Sequence, residues 1–111
     1  MSFDFLKRGI FIVWKNIRLV LGARALLDDN DPRIEQKWEE LTFLLSENES
    51  ETLNFLQVCT KTELSLLSEV FEEVAYNLQS KKYLELLYIL DQRYPDLNLK
   101  SSIKVAEQYM D

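Results

Sequence analysis

Histidine is absent from the 111-residue sequence, and its absence excludes several kinds of chemistry. Ser–His and Cys–His nucleophiles, zinc sites that use histidine, and the Glu-x-x-His di-iron motif of helical bundles cannot be built. Glycine is also rare: Gly9 and Gly22 stand alone, so there is no glycine-rich phosphate loop. No pair of carboxylates is set apart by its spacing as an acid and a base. We therefore expect a protein that is not an enzyme and that uses no cofactor and no metal ion.

Turn-forming residues are scarce, since glycine and proline occur only twice each. A β-sandwich or barrel needs many tight turns and normally uses more of both residues. The chain is 47% hydrophobic, which is ample for a packed interior, and its length suits one domain. The sequence therefore predicts an all-α fold, with residues 1–111 forming a single compact bundle of five or six helices.

Cys59 is the only cysteine and cannot form an internal disulfide, which suits a reducing compartment. The longest apolar run of the first, most hydrophobic segment, residues 10–14, is followed at once by Lys15, whereas a membrane-spanning helix needs about twenty apolar residues. The charges also interrupt what would be the core of a signal peptide. We expect a cytoplasmic protein with no stable membrane insertion.

The first predicted helix, from residue 3 to about residue 27, is apolar on more than one side. Such a helix is either central in its bundle or covered by a partner, and we favour the central position. Its main stripe contains Phe3, Leu6, Ile10, Val13, Trp14, Ile17 and Leu21, while Phe5, Phe11, Ile12 and Leu19 fall elsewhere on the circumference. The two tryptophans, Trp14 and Trp38, both fall on apolar stripes and are predicted to lie in the core.

Capping residues indicate where the later helices begin. Asp31 followed by Pro32 suits the cap and first position of a second helix. Thr60 and Glu63 form a capping box, and Ser80 can cap the helix after that. In chain order, the later helices are predicted from Asp31 to about Ser46, from about Glu51 to Val58, from Thr60 to about Gln79, from Ser80 to Tyr94, and from about Leu99 onward.

Charge is unevenly distributed along the chain. Residues 1–27 contain five basic residues and one acidic residue, whereas residues 28–111 contain eight basic and eighteen acidic residues. An acidic body repels phosphate backbones, so we expect no direct binding of nucleic acid. The same charge favours a basic protein as the partner.

The helix that Thr60 caps predicts a partner-binding face. Opposite its apolar stripe, the helical repeat places Glu69, Glu72, Glu73 and Tyr76, an aromatic side chain surrounded by carboxylates. A second acidic set, Asp28 and Asp29, precedes the second helix. The alternative is a solvated helix face on which Tyr76 packs over a neighbouring loop.

Four helix and cap motifs are spread over about two-thirds of the chain: WEELTFL at 38–44, ELSLLSEVFEE at 63–73, LQS at 78–80 and RYPDL at 93–97, with Ala106 downstream. This pattern resembles a family of small all-helical bacterial immunity proteins, found beside contact-dependent growth inhibition and other polymorphic toxins. It implies a cytoplasmic protein that binds the C-terminal domain of a cognate toxin, a nuclease in many systems and in some a tRNA-cleaving one, and blocks its activity. Residues 1–27 match no motif of that family.

Two other interpretations remain open. The chain could be a helical adaptor or regulatory subunit, including a homodimer formed through the first helix. It could also attach to a membrane surface through residues 1–27, which are basic and apolar.

Overall fold

A computed structural model describes the backbone of residues 3–111 and the side chains of residues 13–111. The α-helices are α1 (Phe3–Ala25), α2 (Arg33–Ser46), α3 (Glu49–Val58), α4 (Lys61–Leu67), α5 (Phe71–Leu78), α6 (Lys81–Arg93) and α7 (Lys100–Gln108), with 3-10 turns at Ser68–Val70 and Pro95–Leu97. Because α4 and α5 are joined by a 3-10 turn without a loop, they form one bent helix, which makes six helical segments. The described residues contain no strand. The all-α bundle predicted from the sequence is confirmed.

One continuous core holds the bundle together. α1 packs on α2 and α4, α5 packs on α2 and α7, and α3 packs on α6. At the centre of these contacts Leu41, Leu64, Leu87 and Ile103 are fully buried. Each comes from a different helix, so the apolar stripes read from the sequence converge on the same interior.

Two of the predicted caps form as expected. Thr60 Oγ1 accepts a hydrogen bond from the Glu63 N–H at 3.1 Å, and the Glu63 carboxylate accepts one from the Thr60 N–H at 2.9 Å. Partial burial acts to raise the pKa of Glu63, but the Thr60 N–H and the Arg18 guanidinium outweigh it and lower the pKa. Ser80 Oγ accepts from the Tyr83 N–H at 3.0 Å. These side chains satisfy N–H groups that a helix cannot satisfy itself.

The starts of two helices differ slightly from the prediction. α3 begins at Glu49 instead of Glu51, because Asn48 Oδ1 accepts from the Glu51 N–H at 3.0 Å and so caps the helix earlier. The segment predicted as a loop is thus partly helical. The regular part of α2 begins at Arg33, and Asp31 Oδ1 accepts the Arg33 N–H at 2.9 Å just before it.

The prediction of an unbroken helix from Thr60 to about Gln79 is wrong. The backbone tightens into a 3-10 turn at Ser68–Val70, and Val70 leaves the helical region with φ −119° and ψ 11°. This bend turns Glu69 toward α1, where its carboxylate pairs with Arg24. The break in the helix therefore coincides with a contact between two residues, Arg24 and Glu69, that are 45 positions apart in the sequence.

In the part of α1 whose side chains are described, only one side of the helix faces the core. Ile17 and Leu21 are almost fully buried, whereas Leu19 is 63% exposed. The prediction of a central first helix is therefore wrong for residues 13–25. The stripe positions Phe3, Leu6 and Ile10, like Phe5, Phe11 and Ile12, lie outside the described side chains, as do residues 1–12 of the segment proposed to touch a membrane. In the part of the chain that the structure describes, no helix combines the length and apolar character that crossing a membrane requires.

Cys59 is buried at the end of α3, and its burial predicts low reactivity. Desolvation, followed by the nearby Glu63 carboxylate, raises the pKa of the Cys59 thiol to about 11. Because the thiolate is the reactive form, we expect a disulfide reagent at pH 8 to modify the native protein about a hundredfold more slowly than the denatured chain.

A matched control is available next to this thiol. Val58 is 54% exposed, so a Val58→Cys, Cys59→Ala protein should react at nearly the same rate when native and when denatured. Equal rates for native and denatured Cys59 would contradict the prediction.

Candidate partner-binding surface

Two exposed tyrosines lie in one groove between α2, α5 and the residues after α7. Tyr76 is 63% exposed and Tyr109 is 48% exposed. We call this the Tyr76 groove; its volume is about 310 Å³, and it is lined by Thr42, Glu72, Glu73, Tyr76, Asn77 and Tyr109. Large aromatic side chains held at a concave, polar-rimmed surface are typical anchors of protein–protein interfaces.

The apolar face of α5 orients the groove. Phe71, Val74 and Ala75 are buried in the core, so the opposite face of this short helix must point outward. Asn77 Nδ2 donates to Ser46 Oγ at 2.9 Å and ties α5 to the end of α2. Tyr76 is thus presented from a helix fixed on both sides.

Gln79 positions the far wall of the groove. Its backbone has a left-handed conformation, φ 46°, that ends α5. The Gln79 amide Nε2 donates to the Tyr109 carbonyl at 2.8 Å, and its Oε1 accepts from the Asp111 N–H at 2.9 Å. One side chain therefore holds the residues after α7 against α5 and keeps Tyr109 beside Tyr76.

Replacing Gln79 should loosen that wall. We expect Gln79→Ala to lower the free energy of unfolding by about 1 kcal/mol, since two hydrogen bonds to the segment after α7 are lost. The Asp111 amide should also exchange with deuterium faster. Gln79→Gly is the matched control, because it loses the same bonds while relieving the left-handed backbone. Slow exchange of the Asp111 amide in both variants would contradict this role.

The carboxylates of the groove carry negative charge that is not balanced locally. Within residues 13–111, the ion pairs involve neither Glu72 nor Glu73. Partial burial, and after it the neighbouring Glu72 carboxylate, raise the pKa of Glu73. A cationic group placed between the two carboxylates would relieve this repulsion.

Glu69 does not share this outward face. Its carboxylate accepts two hydrogen bonds from Arg24, at 2.8 and 2.7 Å, and one from the Trp38 indole N–H at 3.1 Å. The Arg24 side chain is only 7% exposed, and the Glu69 side chain is 27% exposed. The predicted outward position is therefore correct for Glu73 and Tyr76 and wrong for Glu69, which mainly stabilises the fold.

The Arg24 guanidinium also brings the two predicted acidic sets together. It donates to Asp29 Oδ1 at 3.2 Å and to the Leu27 carbonyl at 3.3 Å, and Asp28 is exposed beside it. The Glu69 hydrogen bonds contribute most to raising the pKa of Arg24. The Asp28–Asp29 loop and the Ser68–Val70 turn thus lie on one side of the molecule.

Sequence reasoning missed several contributors to the surface. Tyr109 follows the apolar stripe of α7, so the helical repeat alone would place either it or Met110 in the core, yet it is 48% exposed. Trp38 was predicted to lie in the core, yet it is 36% exposed, with its indole N–H held by Glu69. Asn77 and Thr42 carry no pattern that marks them in the sequence. Among residues 13–111, no three acidic or cysteine side chains are grouped as ligands for a metal ion.

The fold and this surface define an all-α protein with an acidic groove that contains exposed tyrosines. Comparison with models of known protein families, with curated proteins and with solved structures gives no match to the chain.

Proposed function

We propose that the protein is an immunity protein that binds the C-terminal domain of a cognate toxin and neutralises it. The Tyr76 groove is the proposed contact surface. The observation that carries the proposal is the arrangement of Tyr76 and Tyr109, both exposed, beside Glu72 and Glu73, which have no basic partner within the described residues. The resemblance of residues 38–106 to immunity proteins supports the choice of partner.

The Tyr76 groove offers two contributions to a tight interface: aromatic contact area and negative charge. Tyrosine rings bury large areas at low conformational cost because they have few rotatable bonds. Paired carboxylates match the lysine and arginine side chains with which nucleases hold phosphates. A toxin domain whose basic site is occupied by Glu72 and Glu73 could no longer bind its nucleic-acid substrate.

The Asp28–Asp29 loop has a different part in the proposal. Asp29 is 93% exposed at its side chain although it also contacts Arg24. Exposed charges at the edge of an interface mainly accelerate encounter, and their effect is screened by salt. We place Asp28 and Asp29 in this steering role and the groove carboxylates in direct contact.

Co-expression with the C-terminal domain of the protein encoded immediately upstream tests the proposal. We expect the tagged protein to capture that domain from the cell extract and to restore growth. The association rate of the purified pair should fall as salt concentration rises. Absence of both a complex and growth rescue would contradict the immunity function. A complex that forms equally fast at low and high salt would contradict its electrostatic part.

A further inference from the structure

A second groove lies between α1 and α2, and its apolar side chains are unusually open to solvent. Leu19 is 63% exposed and Phe43 is 67% exposed, which makes Phe43 the most exposed aromatic side chain of residues 13–111. We call it the Phe43 groove; its volume is about 490 Å³, and it is lined by Asn16, Leu19, Val20, Glu39, Glu40, Phe43 and Leu44. Apolar groups concentrated in this way, with polar residues at the edge, mark interaction surfaces.

The two edges of the Phe43 groove carry opposite charge. On the α1 side, Lys15 is exposed one helical turn before Leu19, and the sequence has no acidic residue between positions 5 and 27. On the α2 side, Glu40 is ion-paired with Lys37 at 3.3 Å, whereas Glu39 is exposed and supplies the unbalanced negative charge of this edge. A uniformly basic partner would be attracted by one edge and repelled by the other.

A partner fits this charge pattern if it places an acidic edge against the basic edge of the groove and a basic edge against the acidic edge. We propose that the Phe43 groove binds a second copy of the chain, related by a two-fold axis that runs along the groove. This axis places α1 of one copy opposite α2 of its partner, so each basic edge meets an acidic edge. The two grooves then close into a four-helix contact in which Leu19 and Phe43 of both copies are buried. The proposal goes beyond toxin binding and uses a different surface.

Sedimentation equilibrium of the full chain over a range of concentrations tests this dimer. We expect a reversible dimer in the unmodified protein. Phe43→Glu should raise its dissociation constant about a hundredfold, since each dimer loses two anchors worth about tenfold each. Leu19→Glu should act in the same direction, and Lys15→Glu should give a smaller increase. Circular dichroism verifies that each variant remains folded.

Ile89→Glu is the matched control, because Ile89 is 50% exposed on α6, outside the Phe43 groove. This variant should dimerise like the unmodified protein. A chain that is monomeric at every concentration overturns the proposal. So does a dimer that persists in both Phe43→Glu and Leu19→Glu. If the chain is monomeric and Phe43→Glu abolishes toxin capture, the groove belongs to the toxin and the second copy is excluded.

Disulfide cross-linking tests how the two copies are oriented in the dimer. In a Cys59→Ala background, Leu19→Cys mixed with Phe43→Cys should form a disulfide-linked heterodimer. Leu19→Cys alone should cross-link much less, because the proposed axis does not bring the two copies of position 19 together. Efficient cross-linking of Leu19→Cys alone would overturn the proposed axis.

Discussion

Changing Glu72 and Glu73 together to lysine is expected to weaken binding of the proposed toxin partner about a hundredfold, or about 3 kcal/mol. The loss has two sources. Favourable contacts with basic side chains disappear, and two lysines now face the same basic surface. The fold should be retained, because neither carboxylate takes part in an ion pair within residues 13–111.

Binding of the purified proteins is measured by isothermal titration calorimetry or surface plasmon resonance, and growth rescue is measured in parallel. The matched control reverses two exposed carboxylates elsewhere, Glu35 and Glu85, and so produces the same change of net charge. If both double variants lose affinity equally, net charge and not the Tyr76 groove determines binding. If the Glu72 and Glu73 variant binds as tightly as the unmodified protein, the groove is not the contact surface.

Glu69 is deliberately left unchanged in this experiment. A triple reversal that included it would place a lysine against Arg24 and would destabilise the fold. Lost binding could then not be separated from lost structure. The hydrogen bonds of Glu69 to Arg24 and Trp38 thus decide which acidic residues are informative.

Replacing Arg24 by methionine is expected to lower the free energy of unfolding by about 2–3 kcal/mol. Methionine keeps an apolar stem of similar length, so the change isolates the charge from the packing. Without the guanidinium, Glu69 is left half-buried and the Leu27 carbonyl loses a donor. The cost stays below that of a fully buried pair because Asp29 and Glu69 keep contact with water.

Urea denaturation measures this loss as a lower midpoint with an unchanged slope. Arg33→Met is the matched control: it breaks the Arg33–Asp31 pair, whose arginine is 69% exposed, and should change stability little. Combining Arg24→Met with Glu69→Gln should recover part of the loss, since the only carboxylate left unpaired, that of Asp29, is exposed to water. Equal stability of the Arg24→Met and Arg33→Met proteins would contradict the role assigned to Arg24.

Local signals in the sequence account for most of the fold. Thr60 with Glu63, and Ser80 before Tyr83, cap their helices as expected, since a cap depends on residues within three positions of each other. The bend at Ser68–Val70 contains no glycine or proline. It accompanies the pairing of Arg24 with Glu69, and such a distant contact leaves no local pattern.

The distinction between local patterns and contacts of distant residues also explains which parts of the surface could be predicted. Tyr76 and Glu73 could be assigned to an outward face because the helical repeat within α5 is regular. Tyr109 could not, because it lies in the irregular segment after α7 that Gln79 holds in place. Glu69 was assigned to the wrong face because the helical repeat was assumed to continue through Ser68–Val70, where the helix bends.

The contact between Arg24 and Glu69 also has a consequence for the order in which the chain folds. α1 and α2 are neighbours in sequence and can form a helical hairpin as soon as both have been synthesised. The Arg24–Glu69 pair closes a loop of 45 residues, and closing long loops is the entropically slower step. The ribosome must therefore release α4 and the turn after it before the end of α1 is locked. Until then, α1 lacks the packing contacts that it makes with α4 in the folded protein.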